Sequence, residues 1–312
     1  MDTVEELQAF GSRALHLDSA DEAAAYIFDE LSSFGLQPEY QEFMILNYTS
    51  TNVVAQLQGS SEGSGFLLVG AHYDSVNSDA DDYASSLIAE APGADDDASG
   101  IAAMLEIAHV LANSTPEIGI KFVAFGAEER TYDNLGGIAG SRAFVAAELQ
   151  DDVDYVGGLV LDMIGFQGTS DRHTVLITNS DADKVPQAFI DAVTDNELDL
   201  EIEVVVDPTI NFSDHFSFWE AGYPCTLAFE SAPYGDQYQF NPYYHTSEDL
   251  AYHLSEGQME SVTKATLGAL VTLSGLDESN SISTTVLLLI VLTASVVTII
   301  VLLMFRLRDG KR

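Results

Sequence analysis

The sequence predicts an α/β fold: a mostly parallel β-sheet covered by helices on both faces. Two observations predict it. Seven short runs rich in β-branched and apolar residues alternate with helical stretches along most of the chain. Several of these runs are continuously apolar rather than alternating, as strands buried on both faces must be. A chain of 312 residues is long enough to bury such a core in one large domain with an appendage.

The elements follow in order. Segments 3 to 16 and 20 to 34 carry amphipathic helical spacing; the second opens at Ser19-Ala20-Asp21-Glu22 and closes at Gly35, with Pro38 beyond. The strands are NVVAQL from Asn52, FLLVGA from Phe66, IKFVAF from Ile120, GLVLDM from Gly158, TVLIT from Thr174, EIEVVV from Glu201 and CTLAFE from Cys225. Helices fill the gaps at 98 to 112, 137 to 149, 184 to 195 and 255 to 274. In sheets of this kind, sites form at the carboxyl ends of the strands.

After the polar linker, residues 278–285, twenty residues run without a charge from Val286 to Phe305. That length suits a helix crossing a hydrocarbon core of ~30 Å, and a buried core helix is rarely apolar all round for so long. The tail RLRDGKR, 306–312, is basic, which favours a cytoplasmic C-terminus and places the preceding domain outside the cell. MDTVEELQAF has neither a basic start nor an apolar stretch. Two expectations remain: the chain as given begins downstream of its true start, or the protein is tail-anchored and faces the cytoplasm. Sequons at Asn47, Asn113 and Asn211 agree with the outside placement.

Before Val286 there are 7 basic residues against 49 acidic ones. Such a surface repels nucleic acid and anionic lipid headgroups, and it suits high salt, where screening makes dense acid tolerable. Cys225 is the single cysteine, so internal disulfides and cysteine-rich metal sites are excluded, while the redox compartment stays undecided.

Five strand ends or loops carry metal-ligand chemistry. FLLVGA runs into His72-Tyr73-Asp74; residues two apart share a face in extended chain, which makes His72 a ligand candidate and Asp74 the carboxylate that orients it. PGADDDASG stacks three aspartates, either as a solvated turn capping the next helix or as a carboxylate shared by cations that cancel the repulsion. IKFVAF ends in Gly126-Ala127-Glu128-Glu129, where one glutamate could bind metal and the other hold a water. GLVLDM sets Asp162 in an apolar strand, either accepting backbone hydrogen bonds or binding a cation, since an unpaired buried carboxylate is costly. Last comes Tyr243-Tyr244-His245-Thr246-Ser247-Glu248-Asp249. His16, His109, His173 and His253 read as structural; His215 is unassigned, and Asp214 is a candidate support for the ligands.

AHYDS, PGADDDASG, FGAEE, LDMIG and YHTSED, in that order, resemble the zinc-dependent peptidases of the M28 family, and SDHFSFWEAGYP resembles that family's segment before the last histidine. The resemblance runs from about Asn52 to Asp249. It implies a three-layer α/β/α sandwich around a mixed, mostly parallel sheet, over residues 1–277, with two Zn2+ ions for which Co2+ or Mn2+ could substitute. Carried over, Asp96 would bridge both ions, next to a cis Asp96-Asp97 peptide; His72 and Asp162 would hold one ion, Glu129 and His245 the other. Glu128 would be the general base, Tyr244 would steady the oxyanion, and Asp74 would support His72. Two bound cations lower the pKa of water towards ~7 and clamp a substrate carbonyl.

The implied activity is a membrane-anchored aminopeptidase acting on peptides with a free N-terminus. Other M28-type reactions, those of a carboxypeptidase, an N-acyl hydrolase or a glutaminyl cyclase, share the same framework; a receptor-like ectodomain without catalysis is a further alternative, disfavoured because every ligand position is filled. RTYDNLGGIA, between FGAEE and GSRAF, is longer than the family's usual link and is expected near the entrance.

Overall fold

The computed structural model describes residues 1–276 except 16, 46, 62, 64, 79–88, 130–136, 169–170, 181–182 and 231–239. The linker, the apolar run 286–305 and the basic tail lie outside these residues, as do His16 and most of the RTYDNLGGIA insertion. Among the described residues, no helix is long and apolar enough to cross a membrane.

Eight strands form one mixed sheet: β1 (Glu39–Ile45), β2 (Tyr48–Leu57), β3 (Phe66–His72), β4 (Gly119–Phe125), β5 (Tyr155–Leu161), β6 (His173–Thr178), β7 (Glu201–Val206) and β8 (Thr226–Phe229). Their spatial order is β1-β2-β4-β3-β5-β8-β6-β7. The four strands β4, β3, β5 and β8 run parallel to one another. Antiparallel pairing is found between β1 and β2, β2 and β4, and β6 and β8.

Helices α1 (Asp2–Ala9), α2 (Asp18–Ser33), α3 (Gly100–Leu111), α4 (Ala139–Gln150), α5 (Val185–Asp195), α6 (His215–Glu220) and α7 (Glu256–Leu273) complete the domain. Every residue of β4 is buried, although its side chains alternate between faces, so both faces of the sheet centre are covered. Helix α3 packs on β3 and β5, and α5 packs against α7. One side of the core is aromatic: Phe125 meets Phe144 with ring centroids 5.9 Å apart, and Tyr155 meets Phe218 at 5.7 Å. Each fully buried ring of this kind contributes roughly 1.5–3 kcal/mol of transfer free energy.

The seven expected strands are present, with shifted ends. Two local expectations are corrected. The first helix stops at Ala9 rather than continuing to 16, because Gly11 takes a left-handed φ of +72° and Arg13 turns its side chain inward. Strand β1 had no apolar run to announce it; EYQEFMI is an edge strand of exposed and half-buried residues, paired with β2 and with Tyr40 stacked on Phe28 of α2 at 4.5 Å.

The topology positions the site. His72 ends β3, the Glu128-Glu129 pair follows β4, and Asp162 follows β5, so three adjacent parallel strands deliver their chemistry to one edge. Asn52, buried in β2, ties both ends of the segment after β4: its Oδ1 accepts from Gly126 N at 3.0 Å and its Nδ2 donates to Gly140 O at 2.8 Å. A Cβ at Gly140 would stand 2.2 Å from Gly126 O and 2.5 Å from Asn52 Oδ1. Gly140→Ala therefore lowers stability by about 1–3 kcal/mol, seen in urea unfolding as a lower midpoint with an unchanged slope.

Candidate metal centre

Asp96 lies at the centre of the site. It sits in the turn Ala94–Ser99, between Gly93 in the left-handed region and α3, and the Asp96-Asp97 peptide is cis. One carboxylate oxygen, Oδ1, is 3.1 Å from His72 Nε2, and the other, Oδ2, is 3.1 Å from His245 Nε2. The latter approach lacks hydrogen-bond geometry, leaving Oδ2 buried without a hydrogen bond. On one side His72 Nε2 also stands 3.9 Å from Asp162; on the other, His245 Nε2 is 2.9 Å from Glu129 Oε1.

Two groups of potential ligand atoms result, His72/Asp96/Asp162 and Asp96/Glu129/His245, each drawn together within 4.8 Å. Glu128 joins His72 and Glu129 in a third such group. Tyr244 lies over the His245 ring at a centroid distance of 3.6 Å. The structure thus gathers seven of the eight expected site residues in direct contact or mutual reach, and Asp74 supports them from behind.

The role of Asp74 is broader than expected. The nearest oxygen to His72 Nδ1 is the Asp74 backbone carbonyl at 3.1 Å, with carboxylate Oδ1 at 3.5 Å. That carboxylate chiefly accepts from the backbone: Glu128 N donates to Oδ1 at 3.0 Å and Glu129 N to Oδ2 at 3.1 Å. It ties the ends of β3 and β4 together.

Backbone donors divide the acids into two sets. Asp97 accepts from the N–H groups of His72, Gly100 and Met163; Asp95 from Gly165 and Phe166; Asp249 from Asp95 and Asp96. These carboxylates are satisfied by fixed dipoles, as buried polar groups must be. Among the described residues, Asp96, Glu128 and Glu129 receive no such donor, and Asp96 and Glu129 face imidazole nitrogens instead. Carboxylates facing one another across imidazoles form a donor set suited to a borderline divalent cation such as zinc, with neutral histidines as partners.

Burial and neighbouring charge shift the titrations. Burial pushes the Glu129 carboxyl up to about 7, against the pull of His245, and Asp162 up to about 6, against His72. Burial also drives Glu128 well above the carboxylate range. For Asp96 burial acts upward but is outweighed by the pull of the His245 and His72 imidazoles 3.1 Å away, which holds it far below that range. Burial lowers His245, yet Glu129 and Asp96 raise it to about 11.

Three of the six described non-glycine residues with left-handed backbone lie at these places, Ala127 (φ 55°), Met163 (φ 52°) and His245 (φ 57°). Each is a ligand candidate or its neighbour, which is where local strain gathers when surrounding structure enforces it.

A model of peptidase family M28 matches residues 52–270. The chain belongs to that family. Leucine aminopeptidase 1 of Fusarium vanettenii is 29% identical over 296 residues, covering 89% of this chain and 70% of the relative. A probable zinc metalloprotease of Pyrenophora teres is 35% identical over 162 residues, 51% of this chain; the match covers only 33% of that longer protein. Among solved structures, the Legionella pneumophila LapA aminopeptidase superposes with a TM-score of 0.73 at 21% identity, over 88% of this chain and 70% of that one, which shows a shared fold.

The M28 domain also uses residues that the sequence did not single out. Ser78 Oγ lies 2.9 Å from His245 Nδ1, Asp249 caps the Asp95 and Asp96 amides, and Arg13 lies buried beneath two ligand loops. Asp249 stood inside a quoted motif; Arg13 had no motif at all. Asp214 is buried nearby, its carboxyl pushed up to about 7 by burial against the attraction of His72. His215 points elsewhere, with Nε2 3.3 Å from Ile210 O and its ring edge-on to Trp219; burial lowers it to about 3 and keeps it neutral. His109 stacks on Phe34 and His253 on Tyr243.

The titrations set a pH dependence. Glu129 and Asp162 hold protons more tightly folded than unfolded, so their contribution to metal-free stability is present below about pH 4 and lost as pH rises through 6 to 7. His245, raised from 6.5 to about 11, acts in the same direction above pH 6.5. Metal must displace these protons, so zinc opposes the trend. In thermal melts with chelator the midpoint falls between about pH 5 and 8, and the increase on adding zinc is larger at pH 8 than at pH 5.

Proposed function

We propose that the domain is a metallo-aminopeptidase that removes N-terminal residues from peptides, working with two zinc ions. The observation that carries this reading is the sharing of one carboxylate, Asp96, between His72 and His245 from opposite sides at 3.1 Å each. His72 and Asp162 would also hold one ion, and Glu129 and His245 the other, with Co2+ or Mn2+ able to substitute. When bound, the ions supply Lewis acidity and lower the pKa of water.

The chain's own groups do the rest. Glu128 lines the cleft with its N–H held by Asp74, and in its ionised form it can take a proton from the attacking water and pass it to the leaving amine. Tyr244, half-exposed over His245, offers a hydroxyl for the developing oxyanion. Glu128 and Glu129 on the cleft wall favour a substrate ammonium, with Arg142 the one arginine or lysine among the described lining residues. Glu128, Glu129 and His245 open onto a cleft of ≈ 700 Å³ whose walls include Val76, Ile138, Phe212 and Phe216, so a bulky apolar N-terminal side chain is the preferred fit.

Residues 286–305 are proposed as a single membrane-spanning anchor joined to domain 1–277 by linker 278–285, with tail 306–312 cytoplasmic and the domain outside; the support is the uncharged twenty-residue run and the basic tail.

Two experiments test this reading. Metal-loaded protein releases leucine from leucyl amides and peptides, and not from N-acylated or only C-terminally free substrates; formation of pyroglutamyl product from glutaminyl peptides instead would assign it as a cyclase. Glu128→Gln retains both metals by mass spectrometry and loses about 10²–10⁴ in kcat, whereas Asp96→Ala loses metal as well. For the anchor, the full chain resists alkaline extraction from membranes and a chain ending at 277 does not.

A further inference from the structure

Arg13 is fully buried, and among the described residues its guanidinium is held by carbonyl oxygens. Nε donates to Tyr73 O at 2.6 Å, Nη2 to Gly93 O at 2.8 Å, and Nη1 to Pro92 O and, at 3.2 Å, to Leu7 O. Tyr73 separates His72 from Asp74, and Gly93 opens the turn that carries Asp96. The backbone N–H of Arg13 donates to Ser75 Oγ at 3.0 Å, and that hydroxyl donates to Ala91 O at 2.7 Å, which ties the same two loops together a second time. The packing is tight: a Cβ at Gly93 would come 2.8 Å from Arg13 Nη2.

We infer that Arg13 is a positioning residue for the metal centre: its planar fork, braced across the Tyr73 and Gly93 carbonyls, fixes the spacing between His72 and Asp96 and places a resident positive charge beneath the acids. No carboxylate among the described residues pairs with the guanidinium directly, so its charge acts on Asp249, Asp74, Asp96 and Asp97 together. Burial lowers it to about 10, opposed by those acids, so the charge is present at neutral pH. A lysine would keep a point charge without the fork that spans two loops. This inference rests on reading the cluster as a metal centre.

The test uses the full chain in detergent and zinc alone, with affinity measured by competition against a chromophoric chelator well below each variant's melting temperature. Arg13→Lys is expected to fold and bind zinc about tenfold more weakly, and Arg13→Met to fall further, towards 100-fold. Wild-type zinc affinity in folded Arg13→Lys or Arg13→Met overturns the positioning role and leaves Arg13 a structural plug. If Arg13→Met does not fold, Arg13→Lys decides alone. Absence of zinc binding by the wild-type chain would instead overturn the metal-centre reading itself.

Discussion

A single carboxylate flanked by two imidazoles organises this molecule. Asp96 can face both His72 and His245 only if β3 and the loop after β8 end at the same edge, and if the turn before α3 returns to that edge between them. The run of four parallel strands supplies this arrangement. Each strand end brings chemistry to the edge at a fixed lateral spacing of about 4.8 Å, and the loops need only close the remaining gaps.

Concentrating acid in this way has a physical cost, and two kinds of compensation meet it. Asp74, Asp95, Asp97 and Asp249 accept hydrogen bonds from backbone N–H groups, several of which belong to the ligands' own loops. These acids fold the site. Among the described residues, Asp96, Glu128 and Glu129 accept from no such donor and face the cleft or the imidazoles, the condition in which a divalent cation gains most. Arg13 adds one permanent charge below, clamped to carbonyls so that it does not compete for a ligand carboxylate.

Much of this was legible in the sequence. Strand identity followed from continuous apolar runs, because β3, β4 and β5 are buried over nearly their whole length; the charged residue inside them is Lys121 of β4, whose ammonium pairs with Glu148. The same abruptness exposed His72, Glu128 and Asp162 as candidates. Composition could not separate Asp95, Asp96 and Asp97, three identical residues whose different fates depend on which backbone amides reach them; only the resemblance pointed to Asp96. Strand β1 escaped because an edge strand need not be apolar, and Arg13 escaped because its partners are carbonyls from distant segments, which leave no trace in spacing. The oxygen nearest His72 Nδ1 also differed from expectation, being the Asp74 carbonyl rather than its carboxylate.

The central claim is that the acids at this sheet edge are arranged around paired cations with Asp96 between them. Anomalous diffraction collected at the zinc edge from crystals of the zinc-loaded domain tests it most directly. The account predicts two peaks, one on either side of the Asp96 carboxylate, the first near His72 and Asp162 and the second near Glu129 and His245. No peak within reach of Asp96, with the carboxylates instead hydrogen-bonded to protonated histidines, would contradict it.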